Sequence, residues 1–365
     1  MKRAAILLSL LSLLAACRTD RSDPEDLRGV FDHPGARSAT ASVRASQSGA
    51  PAAAAASAAS AASAAPAIAS GAPLVGLESG LAVNRRKPLP GPCIQVTGEA
   101  ARANERSARR PACRRAEILE RRGPDGAPQY ACVFTPGGVE KRAPLPLIVF
   151  FHGQDESPAK VSKETALSAL GDALDLSGDP QHLGYLVLAP QARRLQLHVA
   201  FDIGFVSPEN EDVRTTEYFI EELAKRGWID RRRVYAVGAG KGGDMAALWT
   251  MLRPDHVAAF ATFGSDASAF TWTCPVEPPP AAVLYRACDT VTRCLDVEQW
   301  LSDRESAHAT TLAFRLNAAN QLAPSCELNA SRCGKQTGEA NHYRWPKGKD
   351  RALVEFLGRF SLDLR

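Results

Sequence analysis

Two apolar rhythms alternate along the chain from residue 116 onward. The first is a short, largely continuous apolar run bounded by turn residues. It recurs at Leu145 to Phe151, Tyr185 to Ala189, Arg233 to Val237, Ala258 to Phe263, Ala281 to Tyr285 and Thr311 to Leu316. Runs of this length are too short for stable helices and predict strands buried on both faces. The second rhythm places apolar side chains every third or fourth position and predicts helices. Lys160 to Leu174 gathers Leu167, Leu170 and Leu174 on one face, and Asp212 to Arg226 gathers Val213, Phe219, Ile220 and Leu223. Further helices are expected at Asp244 to Leu252, Val297 to Ala307 and Lys349 to Phe360. Ahead of these, Ala116 to Glu120 and Gln129 to Phe134 flank Gly123-Pro124-Asp125-Gly126, which reads as a hairpin. Buried strands alternating with amphipathic helices predict an α/β fold: a mostly parallel sheet with helices on both faces and the hairpin as an antiparallel edge. Ligands are then expected at the carboxyl ends of the strands.

Neither rhythm is present near the start. Met1-Lys2-Arg3 precedes an apolar run from Ala4 to Ala16, the pattern of a secretory signal and too short for a dedicated membrane span. Leu14-Ala15-Ala16-Cys17 resembles the bacterial lipobox, which implies that residues 1–16 are removed and that Cys17 is acylated and inserted in a lipid membrane. Arg18 after the cysteine is similar to the residues that sort lipoproteins to an outer membrane. Residues 17–83 are nearly free of aromatic side chains and carry a dense Ala/Ser/Gly/Pro tract from Ala50 to Pro73. Such a segment buries too little apolar area to offset its ordering entropy and reads as a tether. A flexible chain of about 60 residues spans roughly 40 to 45 Å, enough to hold a globule off a membrane. Residues 84–365 are left for one large domain.

Composition adds two points. Besides Cys17 there are eight cysteines: Cys93, Cys113, Cys132, Cys274, Cys288, Cys294, Cys326 and Cys333. An even number in an exported chain favours disulfides. The short separations of Cys288 from Cys294 and of Cys326 from Cys333 suggest local staples, although the pairing is open. No C-x-x-C pair and no histidine cluster accompanies them, so no metal site is expected. The net charge of +4 is unremarkable, but eight arginines against three glutamates fall between Arg102 and Arg122. The stretch reads as a solvated hairpin face or a rest for a polyanion. It lacks the interleaved aromatics of a nucleic-acid platform.

The chemistry centres on one turn. Between the strand ending at Val237 and the helix containing Met245 lies Gly238-Ala239-Gly240-Lys241-Gly242-Gly243. A hydrolase nucleophile elbow, G-x-S-x-G, occupies such a strand-to-helix turn, and Gly240 stands at its centre. Gly238, Gly240 and Gly243 also fit G-x-G-x-x-G, but a dinucleotide fingerprint normally opens its domain, whereas this turn follows several strands. A P-loop would need glycine at Tyr235 and serine or threonine at Gly242. No cofactor is expected.

The block from Val234 to Ala246, preceded by Ile229-Asp230 and followed by Pro254-Asp255-His256-Val257-Ala258-Ala259-Phe260, resembles the elbow of the secreted polyhydroxybutyrate depolymerase and feruloyl esterase family. Phe151-His152-Gly153-Gln154 is similar to that family's oxyanion-loop segment, and Asn341-His342-Tyr343-Arg344-Trp345-Pro346 to its His-x-Trp-Pro block. The resemblance covers Pro144 to Phe360 and implies an α/β-hydrolase fold. It puts the catalytic acid at Asp289, the base at His342, and the oxyanion donors near Gln154 and at the backbone of Lys241; His152 would orient its loop. The nucleophile position falls on Gly240, which has no side chain, and two residues rather than one separate His342 from Trp345.

Loss of a nucleophilic serine lowers turnover by about a million-fold. The expectation is therefore an exported, lipid-anchored hydrolase-like protein that is catalytically degenerate and acts by binding, with an ester or acyl ligand in the old site. The alternative is an active carboxylic ester hydrolase that uses Ser265 or a water activated by His342.

Overall fold

The computed structural model describes residues 83–99, 109–142, 144–179, 182–195, 197–327 and 339–364. The leader, Cys17, the Ala/Ser/Pro-rich segment up to residue 82, and Cys333 lie outside them. The elements are β1 (Asn84–Arg86), β2 (Glu117–Arg122), β3 (Pro128–Phe134), β4 (Leu145–Phe151), α1 (Lys160–Lys163), α2 (Leu167–Leu170), β5 (Leu186–Pro190), β6 (Arg193–Leu195), β7 (His198–Ala200), α3 (Glu211–Lys225) and β8 (Ile229–Ala239). There follow α4 (Lys241–Leu252), β9 (Ala259–Phe263), β10 (Ala281–Arg286), α5 (Cys294–Ser306), β11 (Thr311–Leu316), α6 (Glu339–Tyr343), α7 (Asp350–Leu357) and β12 (Phe360–Leu362).

Eight strands form one sheet in the order β11-β10-β9-β8-β4-β5-β3-β2. β11 through β5 run parallel, and the β2–β3 hairpin closes one edge antiparallel. This is the α/β-hydrolase fold, and its order explains the site. The chain leaves β4 toward β5 on one side and returns to β8 on the other, so a crevice opens between the carboxyl ends of β4 and β8. Phe151 at the end of β4 is in register with Gly238 in β8, which brings the two following loops together.

The fully buried strands divide their side chains between two cores, as the pleat requires. Leu147, Val149 and Phe151 meet the apolar stripe of α3, the apolar residues of α4 from Met245 to Leu252, and Val297 and Trp300 of α5 on one face. Ile148 and Phe150 meet Leu167, Trp345, Leu353 and Val354 on the other.

Three local expectations are corrected by the structure, which also adds one hairpin. The single helix expected from Lys160 to Leu174 is two short helices, because the amides that would continue α1 bond elsewhere: Ala166 N–H donates to Asp350 Oδ1 and Leu167 N–H to Thr165 Oγ1. The last helix stops at Leu357, after which β12 pairs in parallel with β1. The β6–β7 hairpin was masked by its charged residues. The local cysteine staples do not form: Cys294, buried at the start of α5, bonds Cys326 beyond β11, whose strand returns the chain beside that helix. Cys93 bonds Cys274 and Cys113 bonds Cys132, while Cys288 is also in a disulfide.

Candidate active site

β8 runs to Ala239, α4 begins at Lys241, and Gly240 turns the chain between them at φ 51° and ψ −124°. A side chain is strained in that region, whereas glycine enters it without a steric penalty. The flanking glycines answer a different need. A Cβ on Gly238 would stand 1.9 Å from Gly242 O, and one on Gly242 would stand 2.1 Å from Phe151 O. The turn is thus wedged against the end of β4. Gly240 N–H donates to Phe263 O at 2.8 Å, and Gly240 O accepts from Gly243 and Asp244, which starts α4 earlier than its apolar pattern indicates.

His342 sits in the last turn of α6, buried over this elbow. Its Nδ1 is 3.0 Å from Asp289 Oδ2. A carboxylate can only accept, so Nδ1 carries the proton and Nε2 presents its lone pair. That lone pair faces Gly240: a Cβ built there would lie 3.1 Å from Nε2. Asp289 also fills a structural role, its Oδ1 accepting the amides of Val291 at 2.8 Å and Thr292 at 3.0 Å.

Two anchors hold the His342 segment, and the first of them, Arg286, has no counterpart in the sequence reading. Arg286, at the end of β10 and fully buried, donates through Nε to Asn341 O at 3.0 Å and through Nη2 to Arg344 O at 2.8 Å, bracketing His342 on both sides. Its Nη1 donates to Asn317 O, and its Nη2 also reaches Asn320 Oδ1. Burial pulls its pKa down to about 10, helped by the nearby charge of Arg344. Trp345 is the second anchor. Its Nε1 donates to Asp350 Oδ1 at 2.9 Å, and its ring packs edge-on against Phe150 and Phe263. The extra residue between His342 and Trp345 is absorbed by the end of α6. An arginine at a strand terminus carries no sequence signal for this role; the Trp-Pro pair does.

Across the crevice, His152 serves its own loop. Its Nδ1 donates to Gly153 O at 2.8 Å, and its Nε2 accepts Ala192 N–H at 3.1 Å, which ties the loop after β4 to the exit of β5. Complete burial pulls its pKa down to about 4. Gln154 and Lys241 line one cavity of about 270 Å³ together with His342 and Gly240. Among the described residues no acceptor takes the backbone N–H of either. The Gln154 side chain contacts Asp155 Oδ2 at 3.5 Å. Glu156 and Lys160, which the sequence reading did not single out, also line this cavity. Glu156 Oε2 accepts Gly153 N–H at 2.7 Å. The buried Lys160 Nζ pairs with the Glu156 carboxylate and donates to Tyr343 O at 2.9 Å, linking the loop after β4 to the segment that carries His342.

Ser265 is nearly fully buried, and its Oγ donates to Asp244 Oδ1 at 2.5 Å rather than to His342. Burial pushes the Asp244 carboxyl up in pKa against the pull of that hydroxyl and of Lys241.

No protein-family model and no curated protein matches the sequence. Solved structures similar to it include native esterase 2 of the planctomycete Thermogutta terrifontis, at 14% identity over 69% of this chain and 92% of that one, with a TM-score of 0.47. A thermostable esterase matches at 17% identity over 68% of this chain and 63% of that one, with a TM-score of 0.45. A hyperthermophilic esterase from the archaeon Pyrobaculum calidifontis matches at 17% identity, 56% of this chain and 77% of that one, with a TM-score of 0.41. The chain therefore spans just under two thirds of the thermostable esterase's length. The fold assignment rests on the strand order and the elbow, not on these partial overlaps.

Proposed function

We propose that this protein is an exported, lipid-anchored relative of the polyhydroxybutyrate depolymerase-like esterases that has given up ester hydrolysis and acts by binding a ligand over the vacated elbow. One observation carries the reading: the imidazole lone pair of His342, oriented by Asp289, is aimed at Gly240, which has no atom to deprotonate. In a working triad that lone pair takes the serine proton, and backbone amides stabilise the oxyanion that follows. Here the base, held by its acid, lines one cavity with Gln154 and Lys241, whose amides have no acceptor among the described residues, and the elbow between them has no nucleophile.

The lining supports a small polar ligand rather than a long acyl chain. Among the described residues its only aliphatic side chains are Ala239 and Val291, while Glu156, Lys160, Lys241, Asp244, Asp266 and His342 are charged or titratable. A ligand pocket built for apolar chains is larger and mostly apolar. The alternative of continued hydrolysis finds little support in Ser265, whose proton goes to Asp244. A water held by His342 is the remaining route, favoured by the free Nε2.

The test is a paired assay of the purified full chain and its Gly240→Ser variant on short-chain nitrophenyl esters and hydroxybutyrate oligomers, with fluorophosphonate labelling alongside. Turnover and labelling confined to the serine variant are expected. Turnover by the native chain that His342→Ala abolishes would overturn the reading.

A further inference from the structure

Most arginines of the fold have a carboxylate or carbonyl partner: Arg121 pairs with Glu211, Arg193 with Asp212, Arg226 with Glu117 and Arg315 with Glu298. Among the described residues Arg109, Arg110 and Arg194 are three of those that do not. All three are exposed, and among the described residues none has an acidic partner. They nevertheless converge on one groove of about 300 Å³, with Gln191 and Glu156 among its other walls. Like charges gathered in a concavity repel one another and focus a positive potential into it. The charge of Glu156 does not cancel them, because it is already met by Lys160 and by the amide of Gly153.

Glu156 gives the groove its position, since the same residue lines the cavity over Gly240. The two hollows share a wall, and neither the elbow nor the His342–Asp289 pair uses the arginines. Among the described residues the groove is lined by no aromatic ring on which a base could stack, which counts against a nucleic acid. Its concave form suits a single oxyanion group, which planar guanidiniums bind with paired hydrogen bonds.

We propose that this groove is an anion subsite receiving the carboxylate or phosphate end of a small ligand whose neutral portion reaches the cavity over Gly240. The inference rests on the reading of that cavity as a ligand site and names the chemical class it takes.

The test uses the full native chain, in which no turnover is needed. N-phenylglutaramic acid and its neutral methyl ester are titrated by calorimetry. The acid is expected to bind roughly tenfold more tightly than the ester, the scale of one or two charge-assisted contacts. That advantage should fall as salt rises toward about 1 M, and it should vanish in the Arg110→Ala/Arg194→Ala double variant. Both positions are exposed, and an unchanged melting temperature shows that the variant is folded. Displacement of the acid by inorganic phosphate supports a subsite for oxyanions in general, and resistance to phosphate with the tenfold preference intact supports one for carboxylates. Equal affinities for acid and ester, no binding of either, or a preference that survives the double variant overturns the proposal. Failure of Gly240→Ser to hydrolyse neutral esters while the acid still binds would sink the reading of an aligned site that lacks only its nucleophile instead, so the two failures are separable.

Discussion

The Nε2 atom of His342 stands 3.1 Å from the point where a Cβ would project from Gly240. That separation is tighter than an ordinary contact, so the ring has settled a few tenths of an ångström into space that a serine would need. Gly240→Ser must therefore push the ring back and accept a positive φ. We expect the variant to gain ester hydrolysis and to lose about 1 to 3 kcal/mol of stability, the usual cost of a side chain in a strained backbone region. Urea unfolding of both chains, read beside the esterase assay, checks the pair of effects.

Arg286 should decide how well the regained activity works. Replacing it by lysine in the Gly240→Ser background keeps the charge but cannot hold Asn341 O, Arg344 O, Asn317 O and Asn320 Oδ1 together. A displacement of His342 by about 1 Å lowers turnover by roughly a hundredfold. The expected signature is a fall in kcat with KM little changed; an equal rise in KM with kcat retained would show that Arg286 does not position the base.

Ser265→Ala in the same background should leave kcat within about twofold, because the Ser265 hydroxyl serves Asp244 and a strand-end turn rather than the reaction. A loss of fluorophosphonate labelling in that variant would assign the nucleophile to Ser265.

His152 predicts a pH dependence of stability. Its pKa falls from an ordinary value of 6.5 to about 4 in the fold because it is buried. Between those values the unfolded chain binds a proton that the native chain refuses, so the contribution is fully present above pH 6.5 and is lost as pH falls toward 4. The difference amounts to at most about 3 kcal/mol. Urea midpoints measured from pH 7 to pH 4 should drop, and His152→Gln should flatten that part of the curve.

The bond between Cys93 and Cys274 closes the longest of the disulfide loops described, with a sequence separation of 181. Replacing both cysteines by alanine should lower stability by about 2 to 5 kcal/mol. Peptide mapping without reduction should recover the Cys93–Cys274, Cys113–Cys132 and Cys294–Cys326 pairs.

Much of this architecture was legible before any coordinates. Leu145 to Phe151 and Ala281 to Tyr285 read as buried strands because one simple pattern, an unbroken apolar run, matches burial on two faces. Gly238 and Gly242 were visible as an elbow for an equally local reason, since the turn admits no Cβ at either position. The rest is decided at a distance. Nothing near Thr165 announces that Asp350, far along the chain, will take the Ala166 amide and break a helix. Arg286 gathers oxygens from two segments that meet only in the fold, and Glu156 gains importance only because the loop after β4 lies against α6. Cys294 illustrates the same limit: proximity in sequence favoured Cys288, whereas the direction of α5 favours Cys326.

Asp289 has a divided loyalty with an evolutionary consequence. One of its oxygens orients His342, while the other caps the turn through the amides of Val291 and Thr292. Once selection for hydrolysis is relaxed, folding alone is enough to retain the aspartate, so its persistence in a lineage is no testimony to catalysis. Among the described residues the His342 ring has no comparable bond that holds the fold, so where the cavity also loses its ligand, drift should erase the histidine before the acid that once served it.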